Sequence, residues 1–229
     1  MNQPTIRSIG IIMDGNRRWA RERGLPTLEG HRRGLDVLRM LSRELPRLKE
    51  TYGLECVTLF AFSTENWQRT AEEVAYLMRL FTQGLEEIIA NAAGTARVRI
   101  IGERERFSPE LQEVFRRVEE RTAGNSGTLV AFALSYGGRA EILRAAAALA
   151  ESGVPATEEN FSRALWTAGM PDPDLVIRTS GEERLSGFLP WQSVYSELFF
   201  TDTYWPDFTI AELENIFAEY AARERRHGQ

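Results

Sequence analysis

The stretch Ile9–Ala20, IGIIMDGNRRWA, carries an apolar run onto Asp14 and then sets Gly15, Asn16, Arg17 and Arg18 beside it. Glycine after a strand lets the backbone turn tightly and come close to a ligand. If a helix starts near Asn16, its free N–H groups favour an anion, and guanidinium forks match phosphate oxygens. A carboxylate among them would repel phosphate unless a hard cation lay between, and Mg²⁺ is the ion that carboxylates and phosphate oxygens share. This chemistry is a diphosphate and magnesium site. The competing reading is that Asp14 only caps the helix, and the motif alone does not separate the two.

A second set lies in IRTSGEERLSGF, where Arg178, Arg184 and Ser186 could hold another diphosphate. Against that stands simple surface pairing with Glu182 and Glu183, which contributes little. In VYSELFF, Glu197 is an acid flanked by apolar and aromatic residues. Burial of an unpaired carboxylate is costly, so Glu197 calls for a metal or an arginine. Apolar runs at Val57–Phe62 and Leu129–Leu134 add a greasy element. Together these features describe a substrate with a charged head and an apolar body.

The elements that must position these residues follow from periodicity. Strands are expected at Ser8–Met13, Cys56–Phe62, Arg97–Ile101, Thr128–Leu134, Leu175–Arg178 and Leu198–Phe200. Helices are expected at Gly30–Glu50, with Leu35, Leu38, Leu41 and Leu45 on the buried face, and at Thr70–Asn91, Ser108–Ala123, Ala140–Glu151, Glu158–Ala168 and Ile210–Arg225. The alternation predicts an α/β fold with a mainly parallel sheet flanked by helices, and no linker divides residues 1–229, so one domain is expected. In such folds ligands bind at the carboxyl ends of strands. The clusters after Met13, Phe62, Leu134 and Ile177 should therefore open on one edge.

Composition narrows the classes. The net charge of −5 gives no electrostatic footprint for nucleic acid. Lys49 is the only lysine, so the abundance of arginine carries no message by itself. Cys56 is the single cysteine and His31 and His227 the only histidines, which excludes an internal disulfide and any zinc spacing. There is no apolar run of about 18 residues and no signal-peptide pattern, so a cytoplasmic protein is expected. A nucleotide-binding module would want G-x-G-x-x-G or G-K-[ST] after a strand, and neither is present.

The segments IIMDGNRRWA, GHRRG, LFAFSTENWQR, VRIIGERERF, SYGGRAEI, DLVIRTSGEERLSGFLPWQ and YSELFFTDTYWPDF, in this order, resemble the cis-prenyltransferases, the undecaprenyl diphosphate synthase family, from about Ile9 to Gly228. The resemblance implies a Mg²⁺-dependent homodimer that adds isopentenyl diphosphate to an allylic diphosphate, with farnesyl diphosphate as primer and undecaprenyl diphosphate, the cell-wall lipid carrier precursor, as product. It implies that Asp14 is the catalytic, Mg²⁺-binding aspartate, and that Gly15, Asn16, Arg17, Arg18, Trp19, Thr27 and His31 surround the allylic diphosphate. By the same resemblance Ser63, Thr64, Glu65, Asn66, Trp67 and Arg69 form a mobile substrate loop. Arg178, Arg184, Leu185 and Ser186 match the isopentenyl diphosphate site. Glu197 matches a second metal-linked carboxylate that meets the site across the dimer, as do Arg226 and Gly228 of the C-terminal R-x-G. Asn66 matches a residue given the role of base; a neutral amide is a poor base, so an orienting role is expected, with Asp14 or a diphosphate oxygen taking the proton. The product would grow between Ile9–Met13, Val57–Phe62 and the Leu77–Ile89 helix, and its apolar chain implies peripheral membrane contact at release.

Four residues depart from the family pattern: Arg17 for a frequent glycine, Thr27 for an arginine, Ser135 for the asparagine of N-Y-G-G-R, and Phe132 for a smaller aliphatic. The last two bear on product length, so a medium- or short-chain cis-prenyl synthase is the alternative product class. A non-catalytic partner subunit would tend to lose the aspartate or the arginines, and Asp14, Arg178, Arg184 and Arg226-His227-Gly228 are all kept.

Overall fold

Five consecutive buried residues, Ser8–Ile12, form β1 at the centre of a six-stranded sheet. In the computed structural model, which describes residues 5–90 and 96–223, α1 (Asn16–Glu22) and the long α2 (Thr27–Tyr52) follow. The chain continues through β2 (Cys56–Ser63), α3 (Ala71–Ala90), β3 (Arg97–Ile101), α4 (Pro109–Thr122) and β4 (Leu129–Tyr136). It ends with α5 (Gly138–Ser152), α6 (Glu158–Ala164), β5 (Leu175–Arg178), β6 (Glu197–Phe200) and α7 (Ile210–Ala222). The strand order is β3-β4-β2-β1-β5-β6, and every pair is parallel. That is the expected class, and it sends the ends of β1, β2, β4 and β5 to one edge.

Helices cover both faces, which is why the central strands are apolar nearly throughout. Ile9, Ile11, Val57, Leu59 and Ile177 pack with Val37, Leu41, Leu45 and Leu48 of α2 and Phe217 of α7. On the same face Phe62, Val98 and Ile100 meet Leu77 of α3 and Phe115 of α4. Phe132 is partly buried and touches both groups. The other face gathers Ile12, Ala133, Val176, Tyr136 and Phe188. No helix among the described residues is long and apolar enough to cross a membrane.

Several elements differ from expectation for local reasons. The arginine-rich GHRRG belongs to α2, which begins at Thr27 and buries Gly30 and Gly34 in place of Leu35 and Leu38. Counting only apolar side chains misses these glycines, whose value is their lack of a side chain. A Cβ on Gly30 would lie 1.9 Å from the Asn16 carbonyl oxygen, and one on Gly34 2.5 Å from Asn16 Oδ1. The α6 helix stops at Ala164 rather than Ala168, because the Trp166 N–H donates to the buried Glu141 carboxylate at 2.9 Å instead of to a helical carbonyl. Strand β6 begins one residue earlier, on Glu197. The terminal helix ends at Ala222, and Arg226, His227 and Gly228 lie outside the described residues.

The close approach of α1 and α2 gives a stability test. Gly30→Ala forces its methyl into a backbone carbonyl and should cost about 1–3 kcal/mol. Gly124→Ala, where a Cβ would meet nothing within 4 Å, should be close to neutral. Urea denaturation of the two variants reads the difference directly.

Candidate active site

Arg178 ends β5 with only 5% of its surface exposed, and its guanidinium turns to the end of β1. Its Nη2 donates to Asp14 Oδ2 at 2.8 Å, while Nη1 donates to Ser186 Oγ at 2.8 Å and to the Arg184 carbonyl. Its Nε is buried without a protein partner. A buried donor left unpaired is costly, and here it lies where an anion is wanted. Arg18 approaches Asp14 from α1 at 3.5 Å and donates to Glu182 at 3.1 Å and to Ser180 Oγ. Burial resists ionisation of Asp14, but the Arg178 hydrogen bond, the Gly15 N–H and the two guanidinium charges outweigh it and hold the carboxyl below its usual range.

The backbone of Asp14 is held as firmly as its side chain. Its N–H donates to Thr179 Oγ1 at 2.9 Å, and its carbonyl accepts from Thr179 Oγ1 at 2.7 Å and from the Trp205 N–H at 3.0 Å. Gly15 follows with φ +101°, and a Cβ there would lie 2.6 Å from the Tyr204 ring. Only glycine fits that turn. Gly15, not Asp14, takes the cap position of α1. With seven residues, α1 is too short to supply an anion site by itself, so the positive charge of this edge is that of the arginines.

A second cluster centres on Glu73 of α3, which is 6% exposed. Its carboxylate meets His31 Nε2 at 3.1 Å, Arg69 Nη1 at 2.9 Å and Arg17 Nε at 3.9 Å. Burial opposes the charge on Glu73, yet the His31 hydrogen bond and the Arg69 and Arg17 charges bring its pKa down. Burial, assisted by Arg69 and Arg17, lowers the pKa of His31 against the opposing pull of Glu73. Thr27 opens α2 one turn before His31.

The segment after β2 forms a 3-10 turn at Thr64–Gln68. Asn66 Oδ1 accepts the Ser63 N–H at 3.1 Å in a reciprocal cap, so the amide is engaged in shaping the turn. Thr64 packs against Gly137, where a Cβ would come within 2.8 Å of its hydroxyl, and Glu65 is exposed. Trp67 Nε1 donates to Ser135 Oγ at 3.0 Å. Ser135 is at φ 49°, in the left-handed region that asparagine enters more readily.

The structure brings together Asp14, Gly15, Arg18, Arg178 and Ser186, and separately His31, Arg69 and Arg17. Asn16 lies at their junction, its amide donating to the Met13 carbonyl at 3.2 Å and its Oδ1 buried without a partner. Trp19 turns outward, donating to Asp207 at 2.8 Å under the Arg23 guanidinium. Surface pairing describes Arg184, which is exposed and bonded to Glu182, but not Arg178. Leu185 packs with the Phe188 group.

Glu197 stands apart. It pairs with Leu175 at the start of β5, whereas Asp14 lies beyond Ile12, the partner of Arg178. Strand rise puts it roughly 10 Å below the level of Arg178, and further still from Asp14, where Arg223 donates to it at 2.8 Å. Within one chain the two carboxylates expected to share a metal are therefore not brought together, because β6 enters the sheet with Glu197 at its amino end.

Glu73 and Tyr204 also build the site and were not among the expected residues, and Thr179, Ser180 and Glu182, expected only as a strand-end cluster and a surface pair, join them. For Glu73 a signal existed: it lies one turn before Leu77 on the apolar face of α3, the same cue that drew attention to Glu197. No group of three or more acidic, histidine or cysteine side chains suited to a metal occurs among the described residues. That donor set fits Mg²⁺ all the same, since this ion commonly uses one carboxylate together with phosphate oxygens and water. Asp14 would supply the carboxylate, and the guanidiniums of Arg18 and Arg178 beside it would supply counter-charge for a phosphate.

The family model described as "Putative undecaprenyl diphosphate synthase" matches residues 12–228. An isoprenyl transferase of Chromobacterium violaceum is 49% identical, covering 97% of this chain and 88% of that protein. One of Neisseria gonorrhoeae is 44% identical over 97% of this chain and 89% of its own length. Among solved structures, a lavandulyl diphosphate synthase from Lavandula x intermedia in complex with dimethylallyl diphosphate is similar at a TM-score of 0.90 and 32% identity, covering 98% of this chain and 99% of that one. A probable undecaprenyl diphosphate synthase from Campylobacter jejuni gives 0.82 at 32% identity, covering 100% of both.

Glu73 supplies a pH test. A carboxyl whose pKa is lowered on folding stabilises the protein above the unfolded pKa, and that stability is lost as pH falls through the folded one. Glu73→Gln should thus lower stability at pH 7 by about 1.5–3 kcal/mol, the scale of a hydrogen bond to a charged group. The gap between variant and wild type should shrink below about pH 4. Thermal melts across pH 3–7 test this; a gap independent of pH would show that the charge is not what counts.

Proposed function

The chain belongs to the undecaprenyl diphosphate synthase family of prenyltransferases, and on that premise we propose that it elongates an allylic diphosphate, farnesyl diphosphate, with isopentenyl diphosphate units to a Z-polyprenyl diphosphate. The observation that carries this reading is Arg178: a nearly buried guanidinium, bonded to Asp14 and Ser186, with one N–H left over. It supports one diphosphate at Arg178, Arg184 and Ser186 and another by Gly15, Asn16 and Arg18, with Asp14 between. Thr27, His31 and Arg69 border the second, while Trp19, turned toward Asp207, does not. When bound at Asp14, Mg²⁺ would supply a Lewis acid for the leaving diphosphate.

In the reaction the allylic C–O bond breaks and diphosphate leaves with the electron pair. The isopentenyl double bond forms the new C–C bond, and a proton then leaves the added unit. Arg18 and Arg178 stabilise negative charge where it grows, and such preorganised charges count most in a site shielded from water. Asn66 orients the loop, and Asp14 or a diphosphate oxygen takes the proton. The whole chain acts as one catalytic domain in the cytoplasm.

A homodimer fits the exposed apolar Val194, Tyr195 and Leu198 beside the edge strand β6. A second copy's Glu197, Arg226 and Gly228 are then the groups to complete the site. Undecaprenyl diphosphate is the product we propose. The presence of Phe132 on the face shared by α2 and α3, level with Leu59 and Ile100, makes a shorter chain the second reading.

Incubation with farnesyl diphosphate, radiolabelled isopentenyl diphosphate and Mg²⁺ should give polyprenyl diphosphates. Asp14→Ala should lower kcat by about 10²-fold or more, and Arg178→Ala should raise KM for isopentenyl diphosphate more than for the primer. Near-normal turnover without Asp14, or equal effects on both substrates, would overturn these assignments.

Phe132→Ala opens space on the α2 and α3 face, and on the second reading thin-layer chromatography of its products should show longer chains than wild type. An unchanged distribution would make Phe132 ordinary packing.

A further inference from the structure

A cavity of about 640 Å³ lies between α3, the start of α4 and the turn after β2. None of its lining residues belongs to α2 or to β1, so it is separate from the expected product tunnel on the other side of α3. Its walls include Trp67, Met78, Phe107, Leu111 and Val114. The size lies within the range of about 300–1,000 Å³ typical of small-molecule sites, and methionine and aromatic walls adapt to flexible apolar chains.

The rim carries two guanidiniums. Arg79 stacks over Tyr76 at 5.6 Å and forms no ion pair among the described residues. Arg106 stacks over Trp67 at 5.0 Å and pairs with Glu103 at 3.3 Å. Glu110 shares the rim, which directs an anion toward Arg79. A free guanidinium at the mouth of an apolar cavity matches an amphiphile with one chain and a phosphate head. Phe107, Leu111 and Val114 on its walls are buried, which suits a chain drawn into the protein.

The wall nearest the catalytic edge is Trp67. Its ring packs on Phe62 and Phe107 at 4.9 and 5.3 Å, and its Nε1 reaches Ser135 at the end of β4. The same short turn contains Asn66. A ligand in the cavity therefore touches the segment that shapes the substrate loop.

We propose that this cavity is a second prenyl-chain site that binds a prenyl phosphate, the chemistry of the enzyme's own products, and through Trp67 restrains the substrate loop and slows turnover. The site rests on the prenyl-transfer reading for the identity of its ligand. Its existence is measured separately.

Farnesyl monophosphate is the probe, titrated calorimetrically into full-length protein saturated with a non-reacting thio analogue of farnesyl diphosphate. Wild type should bind one further equivalent and change its tryptophan fluorescence. Ala75→Phe fills the cavity and should weaken this binding at least about tenfold. Arg79→Glu, on the surface, should weaken it roughly fivefold, the upper scale of an exposed ion pair. Both variants should keep the wild-type initial rate without probe and lose the probe's inhibition at saturating primer. No further equivalent, or one bound equally by wild type and Arg79→Glu, overturns the proposal while leaving prenyl transfer untouched. Absence of prenyl transfer by wild type would instead overturn the functional reading, whatever the binding count. Should Ala75→Phe melt early, Arg79→Glu decides.

Discussion

A single guanidinium, that of Arg178, ties β5 to the neighbouring β1 at the edge where chemistry is possible. It sits at the end of β5, opposite Ile12 of β1, and reaches the carboxylate two residues further on. Asp14 is thereby fixed through side chain and backbone at once, with Thr179 and Trp205 holding its N–H and carbonyl. An arginine this deeply buried needs a counter-charge, because desolvation is not repaid otherwise. Asp14 is that counter-charge, and the turn at Gly15, the placement of Arg18 and the opening of the Ser180 loop all follow from its position.

Among the described residues, each arginine expected to hold phosphate is paired with a carboxylate. Arg178 has Asp14, Arg18 and Arg184 share Glu182, and Arg69 and Arg17 share Glu73. This keeps a cluster of like charges folded and oriented. On the proposed function, a diphosphate entering here would replace one set of anionic oxygens with another, so the guanidiniums would need little reorganisation. Preorganisation of that kind is what makes fixed charges effective toward a leaving group.

The helices serve the same edge. The glycines of α2 let the Asn16 carbonyl approach it directly, and the Trp205 indole donates to the Gly34 carbonyl at 3.0 Å, so α1 and the segment after β6 both pack directly on the α2 backbone. His31, one residue beyond Gly30, is thus carried toward Glu73 on α3. The packing that makes the core dense also sets the distance between the two charged clusters.

The sequence by itself determined the alternation of strands and helices, the parallel sheet and the edge on which the polar clusters fall, because period and strand-end placement are local properties. It also marked Asp14, Arg178 and Arg18, whose types and neighbours are chemically telling. Tertiary structure alone decided which acid answers which base. Glu73 reads as one more charge on a helix until α2 and the turn after β2 converge on it, and Arg184 and Arg178 look alike until burial separates them. Glu197 shows the limit most clearly: its apolar surroundings announced a partner, yet only strand register decided that within the chain this partner is Arg223. Register depends on contacts between segments far apart in sequence, and no local pattern encodes it.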